Sequence, residues 1–110
     1  MLFLVELDHV KSGLPVTAEA ARAFIGQVIL PTLARAEELV AEKKIVAGGP
    51  VTGRIALRFI VQADSPQEVD QLVSSLPIWP LADSRVTPLL GFADRRKSVQ
   101  ALLENLKSKP

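Results

Sequence analysis

Two prolines, Pro77 and Pro80, bracket the only tryptophan, Trp79, at the point where a helical pattern gives way to an alternating one. Proline lacks an N–H and pushes the residue before it toward extended backbone, so Leu76-Pro77-Ile78-Trp79-Pro80 must end a helix. Before this corner, Val69, Leu72, Val73 and Leu76 recur at helical spacing, and Asp64 or Ser65 followed by Pro66 supplies a helix start. After it, Leu81 to Leu90 alternate as a strand, which Pro88 confines to a sheet edge or a bulge. A helix that turns sharply into a strand requires a sheet for both to pack on.

The rest of the chain repeats that grammar. Leu2 to His9 are dense in strand formers, and the turn set Lys11-Ser12-Gly13-Leu14-Pro15 closes them off. Thr17 is placed to cap a long helix whose apolar positions Ala20, Phe24, Val28, Leu33, Ala36 and Val40 run to about residue 43. Pro31 lies inside this pattern and predicts a kink or break near Gln27 to Leu30. Lys44 to Val51 read as a short strand ending at Gly48-Gly49-Pro50, and Gly53 permits the turn into Arg54 to Gln62. That segment is the clearest strand, with Ile55, Leu57, Phe59 and Val61 on one face and Arg54, Ala56, Arg58 and Ile60 on the other. Beyond Gly91, Val99, Leu102, Leu103 and Leu106 predict an amphipathic helix over Lys97 to Leu106.

The order is βαββαβ with a C-terminal helix, the ferredoxin-like α+β plan of an antiparallel sheet with helices on one face. All 110 residues fit one domain, with a core over about 1–91 and a helical extension over about 92–110. Such a sheet has a bare face. Two copies pairing those faces would give a dimeric α+β barrel, so the expected partner is a second copy of the chain.

Composition narrows the function. Net charge is +1, and the positive excess sits in the tail from Arg95 to Lys109 without interleaved aromatics, which argues against a nucleic-acid partner. The chain has no cysteine and one histidine, which excludes disulfides, thiolate chemistry and a His-rich metal site within one chain. No phosphate-binding glycine motif and no nucleophile elbow occurs. The apolar start is interrupted by Glu6 and Asp8, too soon for a signal-peptide core or a membrane span, so no membrane association and a cytoplasmic location are expected.

Strand parity puts Leu2, Leu4, Glu6 and Asp8 on one side of the first strand and Phe3, Val5, Leu7 and His9 on the other. The apolar side should meet the helices. In a ferredoxin-like order the first strand lies between the third and the fourth, so Glu6 can meet Arg58 on one flank and Arg85 on the other. Two guanidinium groups there would make a site for a small anionic metabolite, with Glu6 or Asp8 as proton carrier and Trp79 as a pocket wall. The same charges also suit cross-strand or intersubunit salt bridges without chemistry, each contributing about 0.2–1 kcal/mol when exposed. Asp8 and His9 point to opposite faces, so His9 reads as a strand-end residue with a satisfied hydrogen bond rather than half of a dyad.

The opening Met1-Leu2-Phe3, the Leu14-Pro15-Val16 turn and Leu76-Pro77-Ile78-Trp79-Pro80 with its following strand resemble muconolactone isomerase over about the first 95 residues. The resemblance implies an oligomeric α+β barrel isomerase, free of cofactors, that shifts a double bond in an unsaturated lactone bearing a carboxylate. Where that family has a histidine after Met-Leu-Phe, this chain has Leu4. Ala47-Gly48-Gly49-Pro50 and the later Ser-Pro-Gln-Glu helix start are also similar to YCII-related domains of the same fold, without a match to their histidine and aspartate pair. A non-catalytic ligand-binding or assembly protein of this fold is the alternative.

Overall fold

A computed structural model describes residues 1–11 and 13–109. Its elements are β1 (Leu2–His9), α1 (Ala18–Phe24), a π turn (Ile25–Ile29), α2 (Leu30–Ala41), β2 (Ile45–Pro50), β3 (Ala56–Gln62), α3 (Pro66–Ser74), a short 3-10 turn (Trp79–Leu81), β4 (Ala82–Leu89) and α4 (Phe92–Lys107). Ser12, part of the turn expected after β1, lies outside the described residues. The four strands form one antiparallel sheet in the order β2-β3-β1-β4. This is the expected ferredoxin-like α+β arrangement.

Alternation decides which face of the sheet is covered. Phe3, Val5 and Leu7 of β1 and Leu57, Phe59 and Val61 of β3 are buried in one cluster with Leu39 of α2 and Val69, Leu72 and Val73 of α3. Each such side chain contributes about 1.5–3 kcal/mol by leaving water. Leu76 and Ile78, from the proline-flanked corner, complete the cluster. The opposite face of the sheet carries the half-buried Leu4, Glu6, Asp8, Arg58 and Ile60.

The irregularity expected before Pro31 is a π turn, not a break. Pro31 has no N–H to give to the preceding turn, and the Leu30 N–H reaches back to the Ile25 carbonyl, one residue farther than in an α-helix. The wide turn keeps Phe24, Val28 and Thr32 facing the sheet at intervals of four, and the stripe continues through Ala36 to Leu39. Leu39 (0% exposed) therefore holds the core position expected of Val40, which is 55% exposed. Thr32 is the buried polar residue of α2, and its Oγ1 accepts the Ile78 N–H at 3.0 Å. That bond ties α2 to the corner after α3 and satisfies a buried backbone donor.

Local chemistry sets the other boundaries. Thr17 caps α1 by accepting from the Ala20 N–H at 3.1 Å. Ser65, rather than Asp64, caps α3, accepting from the Glu68 N–H, while the Glu68 carboxylate accepts from the Asp64 N–H at 3.0 Å. β2 contains a bulge between Ile45 and Ala47, and next to it Gly48 has φ +108. A Cβ at Gly48 would overlap the Arg58 carbonyl oxygen and the Phe59 Cα, so only glycine lets β2 approach β3 there. Arg54 lies in the turn before β3, which begins at Ala56. Pro88 sits on edge strand β4, as its missing donor requires. The last helix starts at Phe92, ahead of the expected Lys97, and none of its residues is buried.

Candidate functional site

The central position of β1 assembles the polar cluster. Glu6 is in register with Arg58 of β3 on one side and Arg85 of β4 on the other, and all three face away from the helices. One row along the sheet, Leu4 lies between Ile60 and Thr87. The open face is thus apolar toward the start of β1 and charged toward its end. Gly49 of β2 stands opposite Arg58 and leaves open space beside it.

Arg58 is the most engaged side chain of the cluster. Its Nη2 donates to both oxygens of Asp8 at 3.1 Å, and its Nη1 donates to the carbonyl oxygens of Leu57 at 2.9 Å and Leu7 at 3.4 Å. Its Nε lies 3.5 Å from Glu6 Oε2. All three nitrogens of the guanidinium therefore face partners within the protein. Asp8 also accepts from Arg54 Nη2 at 2.8 Å, so two guanidinium groups share it. Glu6 has the single long contact to Arg58, and Arg85 has no ion pair among the described residues.

Arg54 is the member that sequence reasoning missed. Its signal was available: once Glu6 pairs with Arg58 in an antiparallel ladder, Asp8 falls opposite Ala56 and the chain just before it lies within reach. The residues predicted as site members do not all meet. Glu6, Asp8, Arg58 and Arg85 share the open face. Trp79, 40% exposed, lies on the helix side, lining a groove with Val69 and Val73 of α3 and Ser84, Val86 and Pro88 of β4. Within one protomer the sheet separates Trp79 from the charged cluster.

His9 ends β1 on the helix side. Its ring packs on Phe24 with centroids 4.8 Å apart, and its Nδ1 lies 2.7 Å from the Lys11 carbonyl oxygen. A carbonyl only accepts, so Nδ1 carries the proton and the ring is oriented by that bond. Among the described residues no group of three His, Asp or Glu side chains gathers as a metal site would require. No helix among them is long and apolar enough to cross a membrane.

The sequence pattern of the muconolactone delta-isomerase family matches residues 1–95. The chain belongs to that family. Among solved structures, muconolactone isomerase superposes with a TM-score of 0.67 at 24% identity, over 83% of this chain and 90% of that one. A 5-chloro-2-hydroxyhydroquinone dehydrochlorinase from Burkholderia phenoliruptrix AC1100, in complex with 2,5-dihydroxybenzoquinone, superposes with a TM-score of 0.60 at 24% identity, over 86% and 98%. At this identity what is shared is the fold. No curated protein matches the sequence significantly. Within the muconolactone delta-isomerase family frame, the match ends one turn into α4, so most of that helix lies beyond it.

Proposed function

We propose that this member of the muconolactone delta-isomerase family is a cytoplasmic, cofactor-free isomerase of a small unsaturated lactone or carboxylate, working on the open sheet face where two copies pair. The observation that carries the reading is the row Arg58–Glu6–Arg85, in which Glu6 is loosely held and Arg85 has no ion pair among the described residues. Arg85 anchors the substrate carboxylate. Arg58, held by Asp8, fixes Glu6 from the other side and adds positive charge that stabilises an enolate. Glu6 removes a proton from the carbon next to the substrate carbonyl, the electron pair delocalises into the conjugated system, and the same proton returns at the far carbon. One C–H bond breaks, another forms and the double bond moves, with no co-reactant consumed. Trp79 walls the pocket only if a neighbouring copy brings its corner to this face.

The test is binding and turnover with unsaturated lactones bearing a carboxylate, followed by calorimetry and by proton NMR of the vinyl signals. Glu6→Gln should bind and not turn over, and Arg85→Ala should lose binding. Retained affinity in Arg85→Ala removes the proposed anchor. A second reading rests on the saturation of Arg58 by Asp8, Leu7 and Leu57. It makes the cluster an internal clamp in a non-catalytic assembly protein, and it expects no ligand and a weaker oligomer in Arg58→Ala.

A further inference from the structure

His9 and the Leu14-Pro15-Val16 turn take no part in the open face, and they meet around a cavity of about 470 Å³ on the helix side of the sheet. The buried Phe24 and the half-buried His9 form its inner end, and the exposed Val10, Leu14, Val16 and Leu81 form its rim. The inner end is fixed by backbone bonds. The His9 N–H donates to the Ile55 carbonyl at 3.0 Å and the Val10 N–H to the Leu81 carbonyl at 3.1 Å, which carries the pairing of β1 beyond the ends of both ladders. Exposed apolar side chains are ordinary when scattered. Gathered around one cavity, they form a patch that a bound apolar body would remove from water.

We infer that this cavity binds a small, neutral, mainly apolar molecule carrying a hydroxyl donor, with a phenol as the fitting class. The imidazole decides the polar half of the match. Its Nδ1 donates to the Lys11 carbonyl at 2.7 Å, which leaves Nε2 as an acceptor. Nε2 bonds to no described residue, and no buried side-chain nitrogen among them lacks a partner, so Nε2 is open to what enters from solvent. Packing on Phe24 and the bond at Nδ1 hold the ring in one orientation, so the acceptor is set before a ligand arrives. The described lining has no carboxylate to balance a cation, and Lys11 is its one cation. A carboxylate ligand would turn its oxygens toward the unprotonated Nε2, acceptor against acceptor. A phenol gives its proton to Nε2, lays its ring on the apolar walls and leaves its oxygen lone pairs for the Lys11 ammonium. The volume suits it, since small-molecule sites span about 300–1,000 Å³. Glu6 and Arg85 lie on the other side of β1, so this site does not depend on the chemistry proposed for the open face.

The probe is para-cresol, titrated into the full chain by calorimetry and NMR at about pH 8, where an ordinary imidazole is neutral. Saturable binding is expected, with chemical-shift changes gathered at His9, Phe24 and Leu81 and the Nε2 nitrogen signal moving as an acceptor's does on hydrogen bonding. Para-methylanisole has the same ring without the O–H and should bind about fivefold more weakly, the worth of one hydrogen bond. Benzoate should also bind more weakly at these residues. His9→Phe keeps an aromatic ring beside Phe24 and removes Nε2, so it should lose as much affinity for para-cresol as the missing O–H does. Leu14→Asp, on an exposed turn outside the core, tests the apolar wall without threatening the fold and should weaken binding severalfold. Each of four results overturns the inference: no saturation by para-cresol at low millimolar concentration, equal binding of para-methylanisole, preference for benzoate, and shift changes confined to the open face.

Discussion

α3 and α4 carry the same pattern and meet opposite fates. Val69, Leu72, Val73 and Leu76 have the spacing of Val99, Leu102, Leu103 and Leu106. The first set is almost wholly buried, whereas the second is half exposed. Periodicity makes a helix and assigns it an apolar face. It does not name the surface that covers the face. α3 is covered because Pro77 and Pro80 turn the chain back so that the strand that follows joins the sheet beneath it, whereas α4 leaves the end of the edge strand β4 and none of its residues is buried.

The largest difference should appear in the stripes themselves. Leu76→Ala removes a fully buried side chain and should lower stability by about 2–5 kcal/mol in denaturant unfolding. If it costs less than 1 kcal/mol, the corner is not part of the core. Next in size is the lock that α3 has and α4 lacks. Thr32→Val leaves the buried Ile78 N–H without an acceptor, and a loss of about 1–3 kcal/mol is expected, with faster amide exchange at Ile78 by NMR.

The helix starts give a smaller contrast. Ser65→Ala removes the side-chain cap of α3 and should cost about 1 kcal/mol, whereas α4 begins at Gly91 with no side-chain cap to lose. The smallest effect on the protomer belongs to Leu103→Ala, expected to lie within about 0.5 kcal/mol at concentrations where the chain is monomeric. At higher concentration the same substitution should weaken self-association measured by sedimentation. A large loss in the monomer would mean that α4 folds back on its own core.

Much of the charged cluster on the open face was legible because its parts obey strand parity. The alternation of Leu2 to His9 put Glu6 and Asp8 on the open side, and the ferredoxin-like order put Arg58 and Arg85 beside Glu6. What parity does not specify is how far a long side chain reaches along the ladder. Arg58 turns from its partner Glu6 toward Asp8, and Arg54 enters from a turn that no strand pattern describes. The face on which Trp79 sits is not legible for a related reason. A corner residue has no alternation to assign it a face, and the 3-10 turn delivered it to the α3 side.

From sequence alone follow the order of elements, the cap at Thr17, the corner at Pro77 and Pro80, and the covered and open faces of β1 and β3, because each depends on chemistry within a few residues. Tertiary structure decided the rest. The π turn before Pro31 selects Leu39 over Val40, the bulge at Gly48 seats β2 against β3, and Asp8 takes possession of Arg58. These outcomes depend on packing between segments distant in the chain, where a choice made at one position is set by space available at another.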